Sequence, residues 1–466
     1  MAETRHSENP MLPSTRADTI VAVSTAPGIG AVAVVRISGP RAWEVGEKLV
    51  ADPEKYNSLE PRRSSLFSLI DPVSQSELDR ALIVKYKGPA SFTGEDVVEI
   101  QCHGGLSVPV ALTGAAIASG VRQAVAGEFT RRAFLHGKLD LVQAEAIDDL
   151  VHARGNLDRS LALQGLSGEL GREIESLRCM LLDIKAELEY DIDFPDEEPL
   201  AELPSRLERE ISEVLQAIER LLAGARRNLL VSRGTLTVIA GEPNVGKSTL
   251  FNRLVGEERS IVTKKSGTTR DAVEMEAMIG GVLFRLVDTA GLRKGAKEIE
   301  RIGVEYSRRY IARADLVIFV HDVTSPVDSA EKDFISDHAG DNLLRVANKI
   351  DLTNKGSNLP PGFIAVSATE GSGLDELRRA MVDTVLPSSR RFLGKNGFKG
   401  PQVTSIRQKN LLEEALRLLR RVDPHSSAEY IAADLAETTE YLAEITGRIT
   451  DEDVLERIFS RFCVGK

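Results

Sequence analysis

Gly241-Glu-Pro-Asn-Val-Gly246-Lys247-Ser248 fits G-x-x-x-x-G-K-[ST], and its flanks supply the context that pattern requires. An apolar, strand-like run, Leu236 to Ala240, leads in, and a helical run, Ser248 to Leu254, leads out. In a strand–loop–helix unit of this kind, glycines leave backbone N–H groups free to close around phosphate oxygens. Lys247 then reaches the β and γ phosphates, and the Ser248 hydroxyl faces Mg²⁺. The helix N-terminus adds partial positive charge.

Outward from this loop, strand and helix patterns alternate across residues 233–386. Strands are expected at Leu236–Ala240, Val282–Val287, Leu316–Val320, Leu343–Ala347 and Phe363–Val366. Such alternation predicts a doubly wound parallel sheet. On the N-terminal side, Leu163, Leu166, Leu170, Ile174, Leu177, Leu181, Ile184 and Leu188 step by three or four, predicting one long amphipathic helix. Asp193-Phe-Pro-Asp-Glu-Glu-Pro199 breaks it, and Leu203, Leu207, Ile211, Leu215, Ile218 and Leu222 mark a second helix. Residues 387–400 read as a linker, and helical spacing then runs from about 406 to Phe462. The expected organisation is an α/β and α multidomain chain. A polar tail (1–17) precedes an α/β domain (18–137) with strands near Thr19–Val23, Ala31–Ile37, Ala81–Tyr86 and Val97–Cys102. Two halves of a helical domain (138–232 and 387–466) flank the inserted nucleotide domain (233–386).

The length of 466 residues allows two to four domains. A net charge of −11 argues against broad nonspecific nucleic-acid binding. Cys102, Cys179 and Cys463 are far apart and odd in number, which suits a reducing cytoplasm better than a disulfide scaffold. No apolar run approaches the ~20 residues of a membrane span. Gly28-Ile-Gly30-Ala-Val-Ala33 fits G-x-G-x-x-A, but a strand-like run follows where a helix is needed, so it reads as a turn. The basic run Arg390, Arg391, Lys395, Lys399, Arg407 and Lys409 contains no acid; it suits RNA phosphates and a solvated linker equally.

The other elements of a guanine-nucleotide site follow in order. Ser266-Gly267-Thr268-Thr269-Arg270-Asp271 offers a threonine, preferentially Thr269, to complete Mg²⁺ and sense the γ-phosphate. Asp288-Thr289-Ala290-Gly291 at a strand end supplies a carboxylate for water-mediated Mg²⁺ and an N–H for the γ-phosphate. In Asn348-Lys349-Ile350-Asp351, Asp351 accepts from the guanine N1–H and amine, neither of which adenine offers. Asn348 and the Lys349 stem brace the base, and Ser367-Ala368-Thr369 presents N–H groups to O6. Hydrolysis has no glutamine after D-x-x-G, because Leu292 stands there. Asn244 inside the phosphate loop has a carbonyl suited to a monovalent cation that stabilises developing charge. Glu300 suits either a solvated helix face or water positioning, with Glu298 and Glu305 competing for the latter role.

Further motifs narrow the reading. Phe92-Thr-Gly-Glu-Asp-Val-Val-Glu99-Ile-Gln-Cys-His-Gly-Gly105, Gly127-Glu-Phe-Thr-Arg-Arg-Ala-Phe134, Lys138-Leu-Asp-Leu-Val-Gln-Ala-Glu-Ala146 and the terminal Arg461-Phe-Cys463-Val-Gly-Lys466 surround the nucleotide motifs. Together they resemble the MnmE (TrmE) family of bacterial tRNA modification GTPases, over roughly residues 18–466. The G-T-T-R-D switch is also similar to that of Era-type and Der-type ribosome-assembly GTPases, which is the competing reading. A dimerising scaffold with a GTPase controlling its shape is a third.

The MnmE resemblance implies a folate-binding-like, dimerising N-terminal domain and a Ras-like P-loop GTPase inserted in a helical domain. It implies a cytoplasmic homodimer that works with the flavoprotein MnmG (GidA) on tRNA. The expected reaction adds an aminomethyl or carboxymethylaminomethyl group at C5 of the wobble uridine. The one-carbon unit would come from a 5-formyl or 5,10-methylene tetrahydrofolate derivative, and GTP hydrolysis would need K⁺ and Mg²⁺. The GTP-contacting residues would be Asn244, Val245, Gly246, Lys247, Ser248 and Thr249, then Thr263, Lys264, Lys265, Ser266, Gly267, Thr268 and Thr269, with Asp288 to Gly291, Asn348 to Asp351 and Ser367 to Thr369. K⁺ would be held by Asn244, Thr263, Lys265 and Thr268, and Mg²⁺ by Ser248 and Thr269. The resemblance assigns water positioning to Glu300, folate contacts to Arg36, Glu99, Lys138 and Lys466, and a part in the modification step to Cys463. Lys265 departs from the aliphatic residue frequent there. Cys102 and Cys179 read as structural.

Overall fold

The computed structural model describes residues 18–194, 203–256, 274–288, 309–340, 342–353, 359–386 and 398–466. The chain divides into two units, one running to Asp148 and including Thr446–Lys466, the other comprising Asp149–Ile445.

The first unit is built on a six-stranded sheet of β1 (Ile20–Val23), β2 (Val32–Ser38), β3 (Ser64–Ile70), β4 (Glu77–Tyr86), β5 (Val97–His103) and β6 (Arg122–Gln123), in the order β3-β4-β5-β2-β1-β6. Its pairings are antiparallel except β1 with β6. Alternation decides the faces. Ala33, Val35 and Ile37 of β2, with Val98, Ile100 and Cys102 of β5, bury one face against helices Ala42–Lys48 and Val108–Ala118. Arg36 and Glu99, one register pair, therefore share the opposite face. β3 has no counterpart among the strands expected from sequence: in Ser-Ser-Leu-Phe-Ser-Leu-Ile, serines interrupt the apolar run, and only Phe67 and Leu69 are fully buried.

The C-terminus belongs to this unit. Helix Glu452–Phe459 ends three residues short of the expected Phe462, and its Leu455 and Phe459 pack with Phe462 against Leu141 and Ala144. The last residues then form a short antiparallel contact, Ala126 with Val464. The Gly127 N–H donates to the Cys463 carbonyl at 3.4 Å, and the Phe129 N–H to the Lys466 main-chain oxygen at 3.2 Å.

In the second unit, the expected single helix through Leu163–Leu188 is two helices, Asn156–Leu166 and Glu169–Asp193. The break falls at Gly168, whose φ of +72° lies in the left-handed region where glycine is favoured. Leu170, Ile174, Leu177, Leu181, Ile184 and Leu188 are buried, whereas Leu163 is half exposed, so its spacing belongs to a different helix axis. Cys179, expected to be structural, sits exposed on the outer side of that second helix.

The helix Leu203–Arg233 leads into a second sheet: β7 (Thr235–Gly241), β8 (Glu274–Ile279), β9 (Val282–Asp288), β10 (Leu316–Asp322), β11 (Leu343–Asn348) and β12 (Ile364–Ala365), in the order β12-β11-β10-β7-β9-β8. All pairings are parallel except the β8–β9 hairpin. β7, β9, β10, β11 and β12 lie where the sequence places strands; β8 is additional. The chain returns through helix Ile406–Leu419, and Asn228 ties entry to exit: its Nδ2 donates to Gln402 Oε1 at 3.0 Å and to the Val403 carbonyl at 3.1 Å. The α/β sheet is thus an insertion between helices, and the chain combines α/β and α architecture.

Candidate nucleotide-binding site

The C-terminal ends of β7, β9, β10 and β11 point to one edge of the second sheet, where ligands bind in open α/β folds. The loop after β7 is shaped by its glycines. Gly241 has φ +142°, and a Cβ there would stand 2.3 Å from the Val320 carbonyl oxygen. Gly246 has φ +98°, and a Cβ there would stand 2.2 Å from Asn348 Nδ2. Asn244 adopts φ +64°, a left-handed conformation that asparagine tolerates better than most residues.

Helix Lys247–Gly256 begins directly after the loop. Lys247 is buried, and its Nζ donates to the Gly241 carbonyl at 3.0 Å and to the Glu242 carbonyl. Ser248 Oγ donates to Asp288 Oδ2 at 2.6 Å, joining the helix start to the end of β9. Asp288 is buried. A hydroxyl and a carboxylate, both hard oxygen donors set at a phosphate loop, fit Mg²⁺.

The base-reading residues interlock with the loop. Asn348 Nδ2 donates to the Val245 carbonyl at 2.8 Å, while its Oδ1 accepts from the Ala368 N–H at 2.9 Å. Ser367 Oγ donates to Asp351 Oδ1 at 2.6 Å, which fixes the acceptor expected to read guanine. Lys349, left-handed at φ +67°, donates to Asp322 Oδ2 at 2.6 Å. Burial alone would raise the Asp322 carboxyl; donors from Lys349 and Thr324 outweigh it and hold the group below its ordinary value.

Two family profiles cover most of the chain: one described as the MnmE helical domain matches residues 141–463, and one described as the GTP-binding protein TrmE N-terminus matches residues 19–138. This chain belongs to the MnmE family. Among its relatives, the tRNA modification GTPase MnmE of Thermotoga petrophila is 38% identical, covering 96% of this chain and 100% of its own. That of Moorella thermoacetica is 39% identical over 96% and 99%. Among solved structures, Aquifex aeolicus Era bound to GDP.AlF4- is similar over 41% of this chain and 70% of its own, at 27% identity and a TM-score of 0.27.

In this MnmE chain the described residues bring together Asn244, Val245, Gly246, Lys247 and Ser248 with Asp288, Asn348, Lys349, Asp351, Ser367 and Ala368. Thr249 follows in the first turn of the helix, and Ile350 opens a short 3-10 turn. Thr369 accepts at its carbonyl from Arg253 Nη2 at 2.6 Å. Thr263, Lys264, Lys265, Ser266, Gly267, Thr268, Thr269, Thr289, Ala290, Gly291 and Glu300 lie outside the described residues. Sequence reading missed Asp322 and Arg253. Asp322 ends a strand immediately before a Val-Thr turn, a local signal for an acceptor, but its link to Lys349 is a tertiary contact.

The residues expected at the folate site of an MnmE chain lie in the first unit. Arg36 Nε donates to Glu99 Oε1 at 2.9 Å, and the guanidinium lies 5.2 Å over the Phe92 ring and 5.6 Å from that of Phe129. Tyr86 Oη donates to Glu99 Oε2 at 3.4 Å; burial and then the Glu99 charge raise its phenol above the ordinary value. A planar cation, a carboxylate and flanking rings fit a ligand with flat faces and hydrogen-bonding edges, as a pterin has. Lys138 Nζ donates to the Pro89 carbonyl at 2.9 Å, and the terminal oxygen of Lys466 bonds Phe129. Cys463 is exposed. Cys102 is buried; burial, with the Asp79 charge, pushes its thiol up to about 11, which suits a structural residue. Among the described residues no helix is long and apolar enough to cross a membrane.

Proposed function

We propose that this chain hydrolyses GTP and, with a flavoprotein of the MnmG (GidA) type, adds an aminomethyl or carboxymethylaminomethyl group at C5 of the wobble uridine of certain tRNAs. It would do so as a cytoplasmic homodimer, with the one-carbon unit from a tetrahydrofolate derivative. The observation that carries the nucleotide part is the coupling of Asp351, held by Ser367, to the phosphate loop through Asn348. A fixed carboxylate acceptor beside a phosphate cradle favours guanine, because adenine would leave that acceptor unpaired.

Lys247 reaches the β and γ phosphates, and Ser248 with Thr269 would hold Mg²⁺, which neutralises charge on the phosphate oxygens. Asn244, Thr263, Lys265 and Thr268 would hold K⁺, and Glu300 orients the attacking water. Arg36, Glu99, Lys138 and Lys466 would hold the folate, and Cys463 acts in the modification step. The family membership and the full-length relatives named tRNA modification GTPase support this assignment.

The deciding experiment is nucleoside analysis of tRNA from cells with and without this chain, beside GTP and ATP turnover by the purified protein. Loss of the wobble modification in the deletion strain, with GTP turned over in preference to ATP, is expected. Unchanged wobble uridine with GTP-dependent cosedimentation on ribosomal subunits would transfer the chain to the assembly-factor class.

A further inference from the structure

We propose that Asp322 is a positioning residue of the nucleotide site: it holds the Lys349 ammonium so that the lysine stem is fixed where the base must lie. This rests on the GTP reading above, since Lys349 belongs to the motif expected to brace guanine.

Asp322 is the last residue of β10 and stands in register with Asn348 at the end of β11. The Val323 N–H donates to the Asn348 carbonyl at 3.1 Å, so the backbone continues the ladder past the carboxylate. Asp322 divides its oxygens between two tasks. Oδ1 accepts from the Thr324 N–H at 3.0 Å and from Thr324 Oγ1 at 2.7 Å, fixing the side chain on its own turn. Oδ2 is thereby aimed at Lys349 Nζ, 2.6 Å away. The preceding residue adds rigidity: His321 is buried, and its Nδ1 lies 2.9 Å from a buried Glu331 carboxylate oxygen.

Lys349 needs such a partner. It sits in the left-handed backbone region, and a lysine carries several rotatable bonds and a mobile charge. A charge-assisted bond to an already fixed carboxylate removes most of that freedom before a nucleotide arrives. The effect falls on the base-contacting side of the ligand, so GTP and GDP gain alike, and the γ-phosphate chemistry does not.

Asp322→Asn separates this role from a merely structural one. Asparagine keeps an oxygen for Thr324 and turns an NH₂ towards the ammonium, so the turn survives and the lysine contact is lost. Fluorescent GDP and GTP affinities and steady-state GTP turnover are measured on the full chain, for the wild type, Asp322→Asn, Thr324→Ala, Lys349→Met and the double variant Asp322→Asn/Lys349→Met. The expected result for Asp322→Asn is a loss of affinity on the order of tenfold for both nucleotides, with KM raised and kcat retained. Thr324→Ala removes one of the two bonds that fix the carboxylate and keeps the N–H bond, so it should lose less affinity than Asp322→Asn. In the Lys349→Met background, Asp322→Asn should add almost nothing, because the partner is already gone.

Wild-type affinity in Asp322→Asn, or the same penalty with and without Lys349, overturns the inference. Failure of the wild type to bind GTP at all would instead overturn the underlying GTP reading, so the two failures are distinguishable.

Discussion

Asn348 spans two motifs at once, donating to Val245 in the phosphate loop at 2.8 Å and accepting from Ala368 in the base-reading loop at 2.9 Å. It is buried, so neither bond is replaced by water when the side chain is removed. Asn348→Ala should leave the Val245 carbonyl and the Ala368 N–H unpaired and let the two loops move independently. Two lost bonds at about 1–2 kcal/mol each correspond to a nucleotide affinity lower by roughly thirty- to a thousandfold. Calorimetric titration with GDP checks this, and an affinity within twofold of wild type would remove Asn348 from its bridging role.

The hydrolytic assignments separate by their effect on binding. Lys247→Ala should abolish GTP turnover. Glu300→Ala should slow hydrolysis by on the order of a hundredfold while sparing GTP binding, as expected of a residue that acts only on the attacking water. Replacing K⁺ by Na⁺ at equal ionic strength should lower the rate, because the cation site is expected to discriminate by size. Normal turnover in the Glu300 variant, or equal rates in the two salts, would defeat the respective assignment.

Much of this site is written in short segments of sequence. The phosphate loop, the Asp288 strand end and the Asn348–Asp351 motif each depend on local backbone geometry, which glycine, asparagine and strand-like runs announce. The mostly parallel sheet around them follows from the alternation of strand and helix patterns. Contacts between distant segments are less legible. Asp322 meets Lys349 only because β10 and β11 are parallel neighbours in one register. The break at Gly168 was hidden because leucines on two helix axes happened to keep a single spacing. The pairing of Val464 with Ala126 joins segments far apart in the chain, and no periodicity in either segment records it.

Thiol chemistry tests the placement of the three cysteines. Cys179 and Cys463 are exposed, whereas Cys102 is buried and its Sγ lies 3.5 Å from the Ala33 carbonyl. Because the reactive species is the thiolate, burial slows Cys102 twice, by access and by its raised pKa. A disulfide-exchange reagent should titrate two thiols in the native protein and the third only after unfolding. Cys463→Ser and Cys179→Ser should each remove one fast-reacting thiol. Three fast thiols would contradict the packing of β5.

Acid stability should depend on the network around Glu128. This buried carboxylate accepts from Arg122 Nη2 at 2.7 Å, Arg132 Nη2 at 2.9 Å and the Val125 N–H at 2.9 Å. Burial alone would raise it, but Arg122, Val125 and Arg132 together hold it below its ordinary value of 4.5. A depressed carboxylate stabilises the fold fully above its unfolded value and loses that contribution as pH falls towards its folded value. Urea stability of the wild type should therefore begin to fall below about pH 5. Glu128→Gln should cost about 2 kcal/mol at neutral pH and flatten that decline. A variant with the same pH profile as wild type would show that the network carries no linkage.

The C-terminal contact rests on the absence of a side chain at Gly465. Its φ is +95°, and a Cβ there would lie 2.2 Å from the Val23 carbonyl oxygen. Backbone would have to move, since neither atom is the end of a flexible side chain. Moving it pulls the Lys466 oxygen off the Phe129 N–H, one of the first-turn donors of helix Glu128–Leu135 that has no partner within the helix. Gly465→Ala should therefore destabilise the protein by about 1–3 kcal/mol. Gly105→Ala is the control, because nothing lies within 4 Å of a Cβ at that position and its φ is outside the left-handed range. It should unfold within about 0.5 kcal/mol of wild type. If both variants unfolded at the wild-type midpoint, the terminal residues would not be seated against Ala126–Phe129, and the proposed contribution of Lys466 to a ligand site in that unit would lose its structural basis.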